Sequence, residues 1–215
     1  MDGPDNGDEE RKEAAKMGQM KARYDEIYKS LDYGPISSAR GLTASKHVSL
    51  LFPPGKTLCV GSGNSYEAAS LCFEGFKVTT LDYVQPRPKQ ILWDRVIGRG
   101  QELPFKDNTF ELVMCCECIE HIPDSDIDQF MLELKRVGTR VYFTVDDVDD
   151  PPYHTHVCLH PPEWWIDKFN EWGFAGTMNK PSMYQIKVRG GIAGVRFNSD
   201  PPGRGFNFHG HKVLS

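Results

Sequence analysis

The sequence predicts an α/β fold: a doubly wound, mostly parallel sheet wrapped by helices. Two observations predict it. From Lys56 onward, short apolar or β-branched runs alternate with stretches of helical periodicity, the order expected of strand–helix–strand units. A glycine turn, Gly61-Ser62-Gly63, joins the first such run to the first helix of that series.

Residues 1–10 are acidic and poor in apolar side chains, which predicts a disordered tail. Met17, Met20, Tyr24, Ile27, Tyr28 and Leu31 recur at spacings of three and four, which predicts a helix stopped by Asp32-Tyr33-Gly34-Pro35. A second short helix is expected over Leu42–Leu51, ended by Pro53-Pro54-Gly55. Then come a strand at Thr57–Val60, a helix at Glu67–Phe73 stopped by Gly75, a strand at Lys77–Leu81 ending in Asp82, and a strand at Phe110–Cys115. Asp124 or Ser125 can cap a helix whose apolar face is Ile127, Phe130, Met131, Leu134 and Val137, ended by Gly138. Val141–Val145 is a further strand, and Pro161-Pro162 opens a helix with Trp165, Phe169 and Trp172 on one face. In the last 40 or so residues, Met183–Val188 and Phe206–Phe208 are strand candidates between Gly- and Pro-rich turns.

The chain has 215 residues, 39% of them hydrophobic and 26% charged, with a formal net charge of −5. One domain is the simplest partition of that length. The acidic balance disfavours nucleic acid as a main partner, because phosphate contacts demand clustered Lys and Arg. No apolar run approaches the roughly 20 residues of a membrane span. The N-terminus lacks an apolar signal core, so the six cysteines are expected to be reduced and the setting cytoplasmic. Oligomeric state is not legible.

In a strand–turn–helix context, glycines let backbone N–H groups approach a ligand at a helix N-terminus. Asp82 lies about twenty residues further on, at a strand end, where a carboxylate can accept two hydrogen bonds from a ribose diol. The pair suggests an adenosine-containing ligand; the plain alternative is a tight turn and a solvated acid. A third dinucleotide-type glycine and a Walker Gly-Lys-Ser/Thr are absent, which disfavours a nicotinamide dehydrogenase.

Four segments, in order, carry a resemblance to the class I S-adenosylmethionine-dependent methyltransferases of the type-11-like group. Leu58-Cys59-Val60-Gly61-Ser62-Gly63-Asn64 is similar to the family's L-D-x-G-x-G-x-G loop, and Thr80-Leu81-Asp82 to its acidic strand end. Residues 102–113, ELPFKDNTFELV, resemble L-P-F-x-D-x-S-F-D-x-V, and Cys118–Asp124 resembles V-L-E-H-I/L-x-D. The match runs from 56 to about 145, with a weaker echo at Pro162–Phe174. It implies a Rossmann-like, seven-stranded-type sheet with an N-terminal helical cap. It also implies one domain over 11–215, with a cofactor half at 56–145 and acceptor-side elements at 11–52 and 146–215. The cofactor implied is S-adenosylmethionine, held by Gly61, Ser62, Gly63, Asn64, Asp82, Tyr83, Gln101, Glu102, Leu103, Cys116 and Glu117. Cys59 stands where the family has an acid, Ser65 where it often has a third glycine, and Arg99 or Gly100 where an Asp often meets the adenine.

The cysteine-rich stretch Met114–Asp124 (MCCECIEHIPD) reads as a strand exit rather than a zinc centre. Adjacent Cys115 and Cys116 point to opposite strand faces and no CxxC occurs, so no metal is expected on them. Candidate catalytic residues are His154, His156 and His121. The first two lie with His160 in the segment leaving the fifth strand, where a base near neutral pH is useful. Loop histidines making structural hydrogen bonds are the plain alternative. The activity implied is in-line methyl transfer to a small molecule, sugar or peptide group. Two other readings are a nucleic-acid methyltransferase and a non-catalytic protein of this fold acting through partners. Asp150-Pro151-Pro152-Tyr153 spells an amino-methylating signature but follows the fifth strand instead of the fourth, and is expected to be a decoy.

Overall fold

The computed structural model describes residues 6–29, 33–84, 92–146, 149, 151, 153–179, 184–188, 191–195 and 206–212. Two helices, α1 (Asn6–Lys29) and α2 (Tyr33–Leu51), precede the sheet. The strands are β1 (Lys56–Val60), β2 (Lys77–Asp82), β3 (Asp94–Ile97), β4 (Leu112–Cys116), β5 (Arg140–Val145), β6 (Phe174–Asn179), β7 (Tyr184–Val188), β8 (Gly191–Val195) and β9 (Phe206–Lys212). Between them lie α3 (Tyr66–Phe73), α4 (Asp124–Val137) and α5 (Pro162–Glu171), with a short 3-10 turn at Ile119–His121.

Seven strands form one sheet in the order β3-β2-β1-β4-β5-β9-β6. The first five are parallel, and β9 runs antiparallel to both β5 and β6. β7 and β8 pair as a separate antiparallel ribbon. The central strands are covered on both faces, which is why they read as continuous apolar runs. Alternation divides their side chains between two cores. Leu58, Val60, Val113, Cys115, Val141 and Phe143 pack with Phe130 and Leu134 of α4 and Trp165 and Phe169 of α5. Cys59, Leu112, Met114 and Tyr142 pack with Ala44 and Val48 of α2 and Ala68 and Leu71 of α3. Cys115 and Cys116 accordingly face opposite cores, and all six cysteines are free thiols.

The structure differs from expectation in several places. The helix begins at Asn6, inside the segment expected to be a disordered tail; residues 1–5 lie outside the described residues. α2 begins at Tyr33, nine residues earlier than Leu42, because Pro35 falls in its first turn, where a missing N–H costs nothing. α4 starts at Asp124 after Pro123 without a side-chain cap. β3 was not anticipated, because it is an edge strand whose side chains are half-buried at most. Ala175-Gly176 and the glycines of β8 hid those two strands in the same way. Among the described residues, no helix is long and apolar enough to cross a membrane.

Candidate functional site

The parallel strands β1, β2, β4 and β5 end on the same side, and their exits surround one cavity of about 770 Å3. β1 ends in the Gly61–Ser65 turn, with Gly61 at φ +65° and Gly63 at φ +45°. The Gly61 amide donates to Leu81 O at 2.9 Å, tying the turn to β2. A Cβ on Gly61 would lie 2.7 Å from Cys118 Cβ and closer still to its Sγ, so only glycine lets the two loops meet. Ser65 adopts the left-handed conformation, φ 61° and ψ 32°, that the family's third glycine would take without cost. Ser65 is buried, and its Oγ donates to Ser62 Oγ at 3.3 Å.

Asp82, at the end of β2, is 4% exposed. Its Oδ2 accepts the Gly63 amide at 2.8 Å and its Oδ1 the Val84 amide at 3.0 Å. Burial pushes its carboxyl above the usual range, and these amides and the Tyr28 hydroxyl pull it back. Tyr28 thus reaches down from α1 to the acid that the sequence assigns to a ribose diol. α1 is further tied to the far wall, because the Arg23 guanidinium donates to the Tyr153 and His154 carbonyls.

At the exit of β4, Glu117 has φ 49°, a strained value for a non-glycine residue of the kind that collects at functional sites. Its carboxylate pairs with Arg40 of α2, which also contacts Asp146 at the end of β5 at 3.4 Å. Glu120 is fully buried, and its Oε1 accepts the Asp146 amide at 3.1 Å. Desolvation, reinforced by Glu117, raises its carboxyl well above the ordinary range. His121 Nδ1 lies 3.1 Å from the Thr155 carbonyl, which can only accept, so the proton sits on Nδ1 and Nε2 is the basic nitrogen. The rings of His121 and His156 meet edge-on, with centroids 4.8 Å apart.

Of the residues proposed from sequence, Gly61, Ser62, Gly63, Asp82, Tyr83, Gln101, Cys116, Glu117, His121 and His156 line the cavity. Four do not. Asn64 lies beyond the lining, and Glu102 is exposed. Leu103 is buried and donates its amide to Glu133 at 2.7 Å. His154 is exposed and pairs with Asp149, while its neighbours Tyr153 and Thr155 turn inward. Pro151 and Tyr153 of the expected decoy line the cavity too; Asp150 and Pro152 lie outside the described residues. Sequence reasoning missed Arg40, Glu67 and Asp126, all in the lining. Asp126 sits 3.4 Å from the Gln101 amide nitrogen, on the side where the resemblance expected an acid near position 99 or 100. Its place in the first turn of α4 was the available signal. Two clusters have donor sets that could hold a metal: Glu120, His121 and His156, and Asp124, Cys158 and His160, each with ligand atoms within 4.8 Å of one another.

Residues 58–140 match the family model described as "Methyltransferase domain". That stretch spans β1 to the start of β5 and is similar to a methyltransferase domain. The methyltransferase fold extends beyond the matched segment. With 12% identity and a TM-score of 0.66, the chain is similar over its whole length to 94% of the 1,6-didemethyltoxoflavin-N1-methyltransferase of Burkholderia thailandensis. Another similar chain, from the complex between the Haloferax volcanii Trm112 methyltransferase activator and a methyltransferase, has 15% identity and a TM-score of 0.65; the match covers 89% of this chain and 98% of that one. A curated relative, norajmaline N-methyltransferase of Rauvolfia serpentina, is 45% identical over 42 residues, which are 20% of this chain and 14% of the relative. The site fits S-adenosylmethionine on two features of this structure: a glycine cradle that side chains would fill, and a buried carboxylate already accepting backbone donors beside it.

Proposed function

We propose that the protein binds S-adenosylmethionine in the Gly61–Asp82 half of the cavity and methylates a small polar molecule in the His121–His156 half. The observation that carries this reading is the continuity of one lined cavity from Gly63 and Asp82 to His121 and His156. Its volume lies within the range of roughly 300–1,000 Å3 of small-molecule sites. The names of two relatives point the same way: both are N-methyltransferases of small molecules. The six free cysteines suit a reducing, cytoplasmic setting.

Asp82 would hold the ribose hydroxyls, Gln101 and Asp126 the adenine edge, and Arg40 the carboxylate of the amino-acid end. Bound there, the cofactor supplies a methyl group on a sulfonium, already activated and with a neutral leaving group. The chain then has little covalent work to do. Its walls align the acceptor and exclude water, which is proximity catalysis. His121 or His156 takes a proton where the acceptor must lose one.

Calorimetry should show one molecule of S-adenosylmethionine bound per chain, and product mass should rise by one methyl when a metabolite pool is supplied. Transfer should persist in chelator. Loss on chelation and return with a divalent cation would reassign Glu120, His121 and His156 as metal ligands, and absence of cofactor binding would sink the proposal.

Tyr28 competes for Asp82 in this structure. Tyr28→Phe removes one hydrogen bond that the cofactor has to displace, about 1 kcal/mol, and should tighten cofactor binding about fivefold by calorimetry. Weaker binding would show instead that the hydroxyl helps hold the bound molecule.

A further inference from the structure

We infer that Glu67, in the first turn of α3, is the acid that receives the α-ammonium of the cofactor's amino-acid end, in a chain whose strand-end position, where the family has an acid, is held by Cys59. The inference rests on the cofactor reading above and adds a residue to it. Cys59 is buried and its thiol is held neutral, pushed well above its ordinary range by desolvation, so β1 brings no charge to the cavity. Glu67, on the neighbouring element, can supply one once a cation reaches it. It is 9% exposed, it lines the cavity, and it lies close enough to Cys59 and Cys116 to disfavour ionisation of both. Gly41 of α2 sits against it: a Cβ there would come within 3.0 Å of Glu67 Oε2.

Among the described residues, the Glu67 carboxyl has no side-chain partner; the hydrogen bond that favours its ionised form comes from its own amide. The groups facing it are Cys59 of β1, Cys116 of β4 and Asp82 of β2, none of them a cation. Arg40, also in the lining, is paired with Glu117 and Asp146. A buried, uncompensated carboxyl on the wall of a cavity is costly unless a ligand compensates it. Arg40 and Glu67, both in the lining, would meet the carboxylate and the ammonium of an amino-acid zwitterion.

The cavity without ligand has a measurable property that follows. Desolvation raises Glu67 to about 8, with Asp82 adding to the shift, so the carboxyl is mostly protonated at neutral pH. An arriving ammonium favours the charged form. Binding should therefore release close to one proton per cofactor at pH 7, from the carboxyl oxygen to buffer.

Calorimetry in buffers of different ionisation enthalpy reads this on the wild-type chain, and Glu67→Gln removes the charge with little change of shape. The expected result is a loss of at least tenfold in affinity for both S-adenosylmethionine and S-adenosylhomocysteine, and loss of the proton release. Affinity for methylthioadenosine, which lacks the amino-acid end, should be unchanged, and that also shows the variant is folded. Equal affinity of the variant and the wild type for S-adenosylmethionine, or equal weakening of methylthioadenosine, overturns the assignment of Glu67. Wild-type protein that binds none of the three overturns the cofactor reading itself.

Discussion

Asp82→Ala is expected to weaken S-adenosylmethionine binding about 100-fold or more. A buried carboxylate accepting two ligand hydroxyls contributes about 1.5–3 kcal/mol per hydrogen bond, and 1.4 kcal/mol is tenfold in affinity. The alanine also orphans the Gly63 and Val84 amides, which Asp82 now accepts at 2.8 and 3.0 Å. Stability should fall by about 2 kcal/mol, lowering Tm by about 4–8 °C in a chain of this size. Asp82→Asn keeps one acceptor oxygen and the side-chain volume, so it should fall between the two, at about tenfold weaker binding. Calorimetry with a parallel thermal melt separates the effects. Binding by Asp82→Ala within threefold of wild type would remove Asp82 from the site.

That prediction was available before the fold, because Asp82 announces itself by position at the end of a β-branched run about twenty residues past a glycine turn. The parallel core was legible for the same reason. β1, β2, β4 and β5 are buried on both faces, so burial left unbroken apolar runs to read. β3 and β6 were not legible, since an edge or antiparallel strand needs few apolar residues when its neighbour supplies the pairing. The glycine and strand-end half of the site was legible, because backbone geometry restricts which residues stand there. Arg40 and Glu67 were not. Arg40 precedes the expected second helix and Glu67 opens the third, each looking like an ordinary charged residue, and only the close passage of α2 over α3 at Gly41 brings them to one cavity. His154 shows the reverse error. Its place in the segment leaving the fifth strand made it a candidate, but its φ of 47° turns the chain there and leaves it exposed, paired with Asp149.

The loop geometry itself leads to the second large effect. Gly61→Ala is expected to cost about 2–5 kcal/mol of stability. Roughly 1–2 kcal/mol comes from the left-handed backbone at φ +65°, and about 1–3 kcal/mol from overpacking against Cys118. Gly63→Ala separates the two causes. It carries the same kind of backbone strain at φ +45°, but its new methyl would meet the Tyr28 hydroxyl at an ordinary 3.5 Å. Gly63→Ala should therefore lose only the backbone share, with Tm falling about half as far. In Gly61→Ala/Cys118→Ala the sulfur is gone while the new methyl still faces Cys118 Cβ at 2.7 Å. The double variant should recover about 1 kcal/mol relative to the sum of the single changes, as contacting residues do. Strict additivity in that cycle would mean that the loops after β1 and β4 do not touch at Gly61, and that its glycine is required by backbone conformation alone.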